Sequence, residues 1–183
     1  CGSVAITFTE IIDVSLGTMT HFLKSRVMLR DTTSSVTLPL SSATLTYLNF
    51  TTLTFTVTEV YRAQAIKIGG NPGGDNVAVV MKALDTAFRD VARNWNMLQD
   101  NVQVTEIPDV TPPEFSNATM DLGTGFLRVK FNEFMDTSHL TLENIYIANN
   151  TGVLDKVVKF STGADIIPGG GDVVTIRLSE INR

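Results

Sequence analysis

The sequence is poor in the side chains that most often build catalytic and metal sites. It has one cysteine, at position 1, and two histidines among 183 residues. A single cysteine cannot form an internal disulfide, so cysteine content says nothing firm about the redox compartment. His21 and His139 fall in polar, loop-like stretches, whereas a metal site needs several converging ligands. The sequence therefore predicts no metal site. It also contains no serine-nucleophile motif, which predicts no catalytic residues and no enzyme.

Charge and long apolar runs are scarce as well. Charged residues make up 18% of the chain, the net charge is −5, and lysine and arginine form no cluster. This charge balance predicts no nucleic-acid partner. No apolar run reaches the length of a membrane span. The chain has no initiator Met and no recognisable signal peptide, so we expect a processed product or a piece of a longer chain.

Two patterns have both a chemical and a plain interpretation. The glycine-rich stretch 69–74 lacks the Gly-Lys-Ser/Thr ending of a phosphate-binding loop, which favours an ordinary loop. Four aspartates flanking residue 110 could supply oxygen ligands to a structural Ca²⁺, although roles in turns and caps are favoured. These aspartates are Asp85, Asp90, Asp109 and Asp121. No cofactor is therefore predicted.

What the chain does contain is a joint with similar sequence on both sides. Pro112-Pro113 removes two backbone donors and forces extended geometry, which a sheet interior does not tolerate. The segment 4–10 resembles 127–133 with an offset of 123 residues, and 53–62 resembles 174–183 with an offset of 121. Two matches in order at nearly one offset predict two copies of one structural unit. We place the boundaries at residues 1–108 and 109–183.

Alternation of apolar and polar residues predicts many short strands. Hydrophobic residues make up 43% of the chain, as in globular proteins. The predicted strands cover 4–8, 27–29, 36–40, 43–48, 53–57, 77–81, 102–107, 115–122, 127–131, 145–147, 157–160 and 173–178. Short strands separated by regular turn signals predict an all-β chain of two tandem immunoglobulin-like β-sandwiches.

Two stretches have helical spacing. Thr58 can cap a short helix over 59–67, with Val60, Ala63 and Ile66 on one face. Residues 83–95 also show helical spacing, which predicts one or two turns of helix. Trp95 is expected to fill the core at one end of the first unit, or alternatively to offer a stacking surface for a sugar.

Four short sequence segments resemble those of a known family. Thr7–Glu10, Lys130–Glu133, Phe88–Asn94 and Asp109–Pro113 are similar to segments of tandem bacterial-type immunoglobulin-like repeats in surface-layer proteins and adhesins. In this chain Arg93 replaces the usual turn glycine, and Phe134-Met135 replaces a Pro-Val pair. The resemblance implies a secreted or surface-anchored structural or adhesive protein without catalysis.

The register of the two copies predicts that neither sandwich is complete. The first copy has no counterpart of 115–122, and the second has no counterpart of 63–108. Incomplete sandwiches expose unpaired strand edges, which another chain can cover by strand complementation. We therefore expect an interface between copies of the chain, in a linear polymer. The side chains predicted to form it are Val4, Ile6, Phe8, Val102, Val104, Val129, Phe131 and Ile176.

Three sequons predict an extracellular, N-glycosylated protein. Asn49, Asn117 and Asn149 each begin an Asn-x-Thr acceptor pattern. The function that fits these observations is a structural subunit of an extracellular fibril or surface array, joined head to tail by shared strands. The alternative is a fragment of a tandem-repeat adhesin that binds carbohydrate or another cell.

Overall fold

The computed structural model describes residues 2–14, 24–33, 36–148, 157–160 and 163–180. The predicted glycosylation site Asn149 and the residues Cys1 and His21 lie outside these ranges. The chain divides into two compact units, Cys1–Val110 and Thr111–Arg183. Both consist mainly of antiparallel strands, and the described part of the chain contains one α-helix.

The first unit has two antiparallel sheets. One sheet has the strand order β1-β5-β4 and the other has the order β3-β2-β6-β7. The strands are β1 (Gly2–Thr7), β2 (Val27–Arg30), β3 (Thr37–Pro39), β4 (Thr44–Leu48), β5 (Thr52–Val57), β6 (Val80–Ala83) and β7 (Gln99–Gln103). They match the predicted strand positions closely, except that β6 and β7 are displaced by about three residues from the predicted 77–81 and 102–107.

One hydrophobic cluster joins these two sheets. Along β5, Leu53, Phe55 and Val57 are buried while the threonines between them are partly exposed. This period of two is the alternation that the sequence shows, because successive side chains of a strand point to opposite faces. Among the described residues, fifteen buried ones form this cluster, including Val27 and Leu29 from the facing sheet. Phe55 is completely buried.

The helix α1 (Glu59–Lys67) begins where the sequence predicts. The Thr58 side chain accepts a hydrogen bond from the backbone N–H of Tyr61, as an N-cap does. The face that carries Val60 is not the most buried one, because Val60 is 54% exposed whereas Tyr61 is buried. The Tyr61 hydroxyl donates a hydrogen bond to the Leu38 carbonyl (2.7 Å), which fixes the helix against β3.

The predicted helical turns within 83–95 are absent, and the segment is a network of tight turns. Thr86 and Arg93 have positive φ angles of 58° and 71°, which a right-handed helix cannot contain. The side chain of Asn96 accepts from the Phe88 N–H (2.9 Å) and donates to the Leu84 carbonyl (2.8 Å). The apolar residues that have helical spacing in the sequence lie in successive turns of this segment. Arg93 adopts the left-handed conformation, which glycine takes more readily than other residues.

The second unit is smaller and has a four-stranded sheet, ordered β12-β13-β9-β8, and a hairpin of β10 and β11. The strands are β8 (Phe115–Asp121), β9 (Phe126–Asp136), β10 (Tyr146–Ala148), β11 (Val157–Lys159), β12 (Ala164–Ile166) and β13 (Gly170–Leu178). Strand β12, which is only three residues long, was not predicted from the sequence. Among the described residues of the second unit, five buried ones form the core, namely Leu127, Phe160, Val174, Ile176 and Leu178.

The internal repeat is confirmed at the level of strand pairing. In the first unit Val4 pairs with Phe55 and Ile6 pairs with Leu53. In the second unit the residues at the offsets of 123 and 121 form the same pairs, Leu127 with Ile176 and Val129 with Val174. The third strand follows the same rule, because Leu45 pairs with Phe55 and Ile166 pairs with Ile176. Strands β1, β5 and β4 therefore correspond to β9, β13 and β12.

The hairpin of the second unit corresponds to β2 and β3. The pair Leu29 with Leu38 matches the pair Ile147 with Val158. In the described ranges, however, β10 pairs only with β11, whereas β2 also pairs with β6. Likewise β1 pairs only with β5, whereas its counterpart β9 also pairs with β8. Within the described residues, each unit thus has one unpaired strand edge at a position where the corresponding strand of the other unit is paired.

Candidate assembly surface

The unpaired edge of β1 is formed by alternate backbone groups. The Phe8 N–H donates to the Thr51 carbonyl (2.8 Å), so the even-numbered residues direct their backbone groups toward β5. By alternation, Ser3, Ala5 and Thr7 direct theirs away from β5. The side chains of these three residues are exposed on the outer surface of the sheet. We call this row the β1 edge.

The unpaired side of β8 is the corresponding feature of the second unit, and we call it the β8 edge. Six of the seven residues of β8 are exposed, and Met120 alone is partly buried. Phe115 is 75% exposed although it pairs with Phe131, which packs against the core. The inner surface of the sheet therefore continues past the core as an uncovered apolar strip.

The other edge strands carry features that discourage pairing. Proline removes a donor, charged residues resist burial, bulges break the register and short strands offer few bonds. Pro39 ends β3, a bulge interrupts β4 between Leu45 and Tyr47, and Asn101 in β7 has a φ of 59°. Strands β10, β11 and β12 have three residues each. The β1 edge and the β8 edge have no proline, lysine or arginine, and the one bulge of β8 lies near its start, between Phe115 and Asn117.

The predicted interface residues fall into two groups. Six of them are partly exposed, namely Val4, Phe8, Val102, Val104, Val129 and Phe131. Ile6 and Ile176 differ from these six, because they are only 6% and 0% exposed. Both side chains belong to the core of their own unit.

Sequence reasoning missed Phe115. Its signal was present, since 115–120 contains no charge and follows the two prolines at 112 and 113. Strand β8 is the first strand of its unit and pairs only with β9 within the described residues. One of its edges is therefore unpaired there.

The inner surface of the second unit is less well covered than its counterpart in the first. Leu38 is 8% exposed, whereas the corresponding Val158 is 42% exposed. Leu29 is buried, whereas the corresponding Ile147 is only partly buried. In the first unit α1 packs on β3 and β6 pairs with β2. Among the described residues of the second unit neither element has a counterpart.

Two of the three sequons lie on exposed turns or strands. Asn49 is exposed in the turn between β4 and β5, where its Oδ1 accepts from the N–H groups of Thr51 (2.8 Å) and Thr52 (2.6 Å). Asn117 is exposed on β8 and pairs with Lys130, so it lies on the outer surface of the sheet. Both are accessible to a modifying enzyme.

The four aspartates considered for Ca²⁺ each bind a group close to them. Asp85 pairs with Arg26 (3.1 Å), and Asp109 pairs with Arg62. Asp90 and Asp121 accept hydrogen bonds within their own turns, from Asn94 and Thr124 respectively, and those bonds lower the pKa of each carboxyl. Within the described ranges, no group of three or more His, Cys, Asp or Glu side chains is placed to hold a metal ion.

Trp95 does not fill the core, because its side chain is 43% exposed. The Arg89 guanidinium lies 5.6 Å from the centre of the Trp95 ring, at a distance typical of a cation–π contact. Arg89 is itself held by Asp13, with 2.7 Å between Nη2 and Oδ2. The indole ring thus contacts a guanidinium that Asp13 holds in place, and it is partly exposed to solvent.

In the part of the chain that the structure describes, no helix has both the length and the apolar character to cross a membrane. No family model, curated protein or solved structure matches this chain. Its function has to be inferred from the geometry of the molecule itself.

Proposed function

We propose that the chain is a structural subunit of an extracellular fibril or surface array, and that copies join head to tail by β-strand complementation. The observation that carries the proposal is the difference between corresponding positions of the two units. Val158 and Ile147 are more exposed than Leu38 and Leu29, which the first unit buries where α1 packs on β3 and β6 pairs with β2. In this proposal both units are incomplete immunoglobulin-like sandwiches.

The free energy available depends on how many apolar side chains become covered. Val129, Phe131 and Ile145 are partly buried members of the second core. Each apolar side chain that becomes fully buried contributes roughly 1.5–3 kcal/mol. Association costs on the order of 4–15 kcal/mol, so several side chains along a continuous strand must be covered together.

The sequons support an extracellular location. Exposed Asn49 and Asn117 can carry sugar, which would increase the solubility and protease resistance of a fibril. Peptide mass spectrometry of native material is the test. Sugar on either residue supports secretion, and unmodified Asn49, Asn117 and Asn149 would remove this support.

Electron microscopy of the purified native material tests the assembly. We expect filaments in which each subunit contributes two small densities, one for each unit. Sedimentation over a hundredfold range of concentration is the companion measurement. Monomers at every concentration, with no filaments, would exclude the fibril.

Trp95 supports a second candidate, a carbohydrate-binding adhesin. An exposed indole held by Arg89 is a flat apolar surface of the kind on which sugar rings stack. A glycan array with the wild-type chain and the Trp95→Ala variant tests this function. Binding that is lost in the variant would favour the adhesin, and an array without signal would leave Trp95 without this role.

A further inference from the structure

We infer that the joint between copies is formed by the β1 edge of one chain and the β8 edge of another. This inference rests on the proposed function and specifies its partner, namely a second copy of the same chain. The observations behind it are the lengths, compositions and repeat positions of the two strands. The joint would continue one sheet across two molecules, in the order β12-β13-β9-β8 followed by β1-β5-β4.

The first argument is elimination among edge strands. Unprotected edges recruit other strands, and proteins normally protect them with proline, charge, bulges or short length. Strand β1 has six residues, no charge and no bulge, and β8 has seven residues, with Asp121 as its only charge and one bulge against β9 near its start. No other edge strand of the described residues is as long as either of them.

The second argument comes from the repeat. Strand β9, the counterpart of β1, has a neighbour on each side, which are β13 and β8. The position beside β1 that corresponds to β8 is unpaired in the described residues. Because β9 corresponds to β1, the pairing of β8 with β9 is already an example of the pairing that we infer between β8 and β1.

The side chains of the two strands are compatible on both surfaces of a joined sheet. On the inner surface β8 presents Phe115, Ala118 and Met120, and β1 presents Val4, which is less buried than its counterpart Leu127. On the outer surface small polar residues meet, because Ser3 and Thr7 of β1 would lie beside Asn117 and Thr119 of β8. No like charges are brought together.

A proline at Ala5 removes an outward N–H from the β1 edge and leaves the hydrogen bonds to β5 in place. Proline is tolerated on an edge strand in this orientation. We expect Ala5→Pro to raise the concentration needed for filament formation at least tenfold. The matched control, Ala5→Val, keeps the N–H and should assemble within twofold of wild type. Assembly of Ala5→Pro at the wild-type concentration would overturn the inference.

Disulfide trapping tests the same contact without requiring filaments or a proline. One chain carries Ala5→Cys, a second carries Thr119→Cys or Asn117→Cys, and Cys1→Ser removes the native thiol from both. Side chains on adjacent strands lie close enough to form a disulfide. We expect a mixed dimer on oxidation, at least tenfold more abundant than with the control partner Gln103→Cys, which is on the β7 edge.

The outcomes separate this inference from the proposed function. Filaments that form without the β1–β8 disulfide, and that tolerate Ala5→Pro, would refute the joint but preserve the fibril. A mixed dimer in a preparation that never forms filaments would support the joint and refute the fibril. Absence of the mixed dimer at millimolar chain concentration would refute the joint.

Discussion

The two units use the same strands in the same register but bury their side chains to different extents. Phe55 and Ile176 occupy one position of the repeat, and both are completely buried. Leu38 and Val158 occupy another, and only Leu38 is buried. Cross-strand pairing therefore fixes the centre of the fold in both copies, whereas the cover over the hairpin depends on α1 and β6. A position of the repeat is buried only if its covering element is present.

The largest expected effect comes from truncating Leu38, the hairpin position that is buried in the first unit. Leu38→Ala should lower the free energy of unfolding of the first unit by about 2–5 kcal/mol, because it leaves a cavity among buried residues. Val158→Ala removes a side chain that is 42% exposed and should cost less than about 1 kcal/mol. Trp95 fluorescence in urea follows the first unit, and hydrogen exchange of β13 follows the second. Equal losses would show that the two positions are covered alike.

A smaller effect is expected at the next corresponding pair, Thr58 and Ser179. Thr58 accepts the hydrogen bond that caps α1, so Thr58→Ala should cost about 1 kcal/mol. The Ser179 hydroxyl is buried and has no hydrogen-bond partner among the described residues. Ser179→Ala therefore removes an unsatisfied polar group and should be neutral or slightly stabilising. Urea unfolding of both variants decides, and a loss at Ser179 as large as at Thr58 would contradict the comparison.

The smallest effect concerns two aspartates at corresponding positions of the repeat, Asp13 after β1 and Asp136 at the end of β9. Asp13 binds Arg89, whereas its counterpart Asp136 accepts hydrogen bonds from Ser138 and lies beside His139, which lowers the pKa of its carboxyl to about 2. A depressed carboxyl pKa stabilises the fold above the unfolded value, and this stability is lost as the pH falls toward 2.

Asp136→Asn should therefore lower the urea midpoint slightly at pH 7 and leave it unchanged near pH 2. Titration of Asp136 by NMR is the direct check. An ordinary pKa for this carboxyl, or a difference in urea midpoint that persists at pH 2, would show that the hydrogen bonds to Asp136 are not formed in solution.

The repeat and most strands could be predicted from the sequence. The alternation of apolar and polar residues, and the constant offset between the two copies, can both be read from the sequence directly, and the fold keeps both. It failed over 83–95, where the backbone conformation is set by Asn96 and by positive φ angles that apolar spacing does not encode. The helix was predicted from its cap, but the burial of Tyr61 was not, because the Tyr61 hydroxyl reaches a carbonyl on β3. Such a contact can be seen only after both elements are placed.

The candidate surface was predicted only in part for a related reason. Alternation identifies which side chains face inward, but it does not say which inward positions a neighbouring strand already covers. Ile6 and Ile176 were named on alternation and are buried, whereas Phe115 was omitted and is exposed. Whether an edge is paired depends on strand order, which becomes known only from the fold.

The two unprotected edges lie in different units, and this placement has a kinetic consequence. A filament joined through them has two unlike ends, one showing an unpaired β1 edge and the other an unpaired β8 edge. Subunits can then add at different rates at the two ends, so growth is polar. A chain with one edge blocked can still bind to an end but cannot be extended, so small amounts of it would act as a terminator and shorten the filaments.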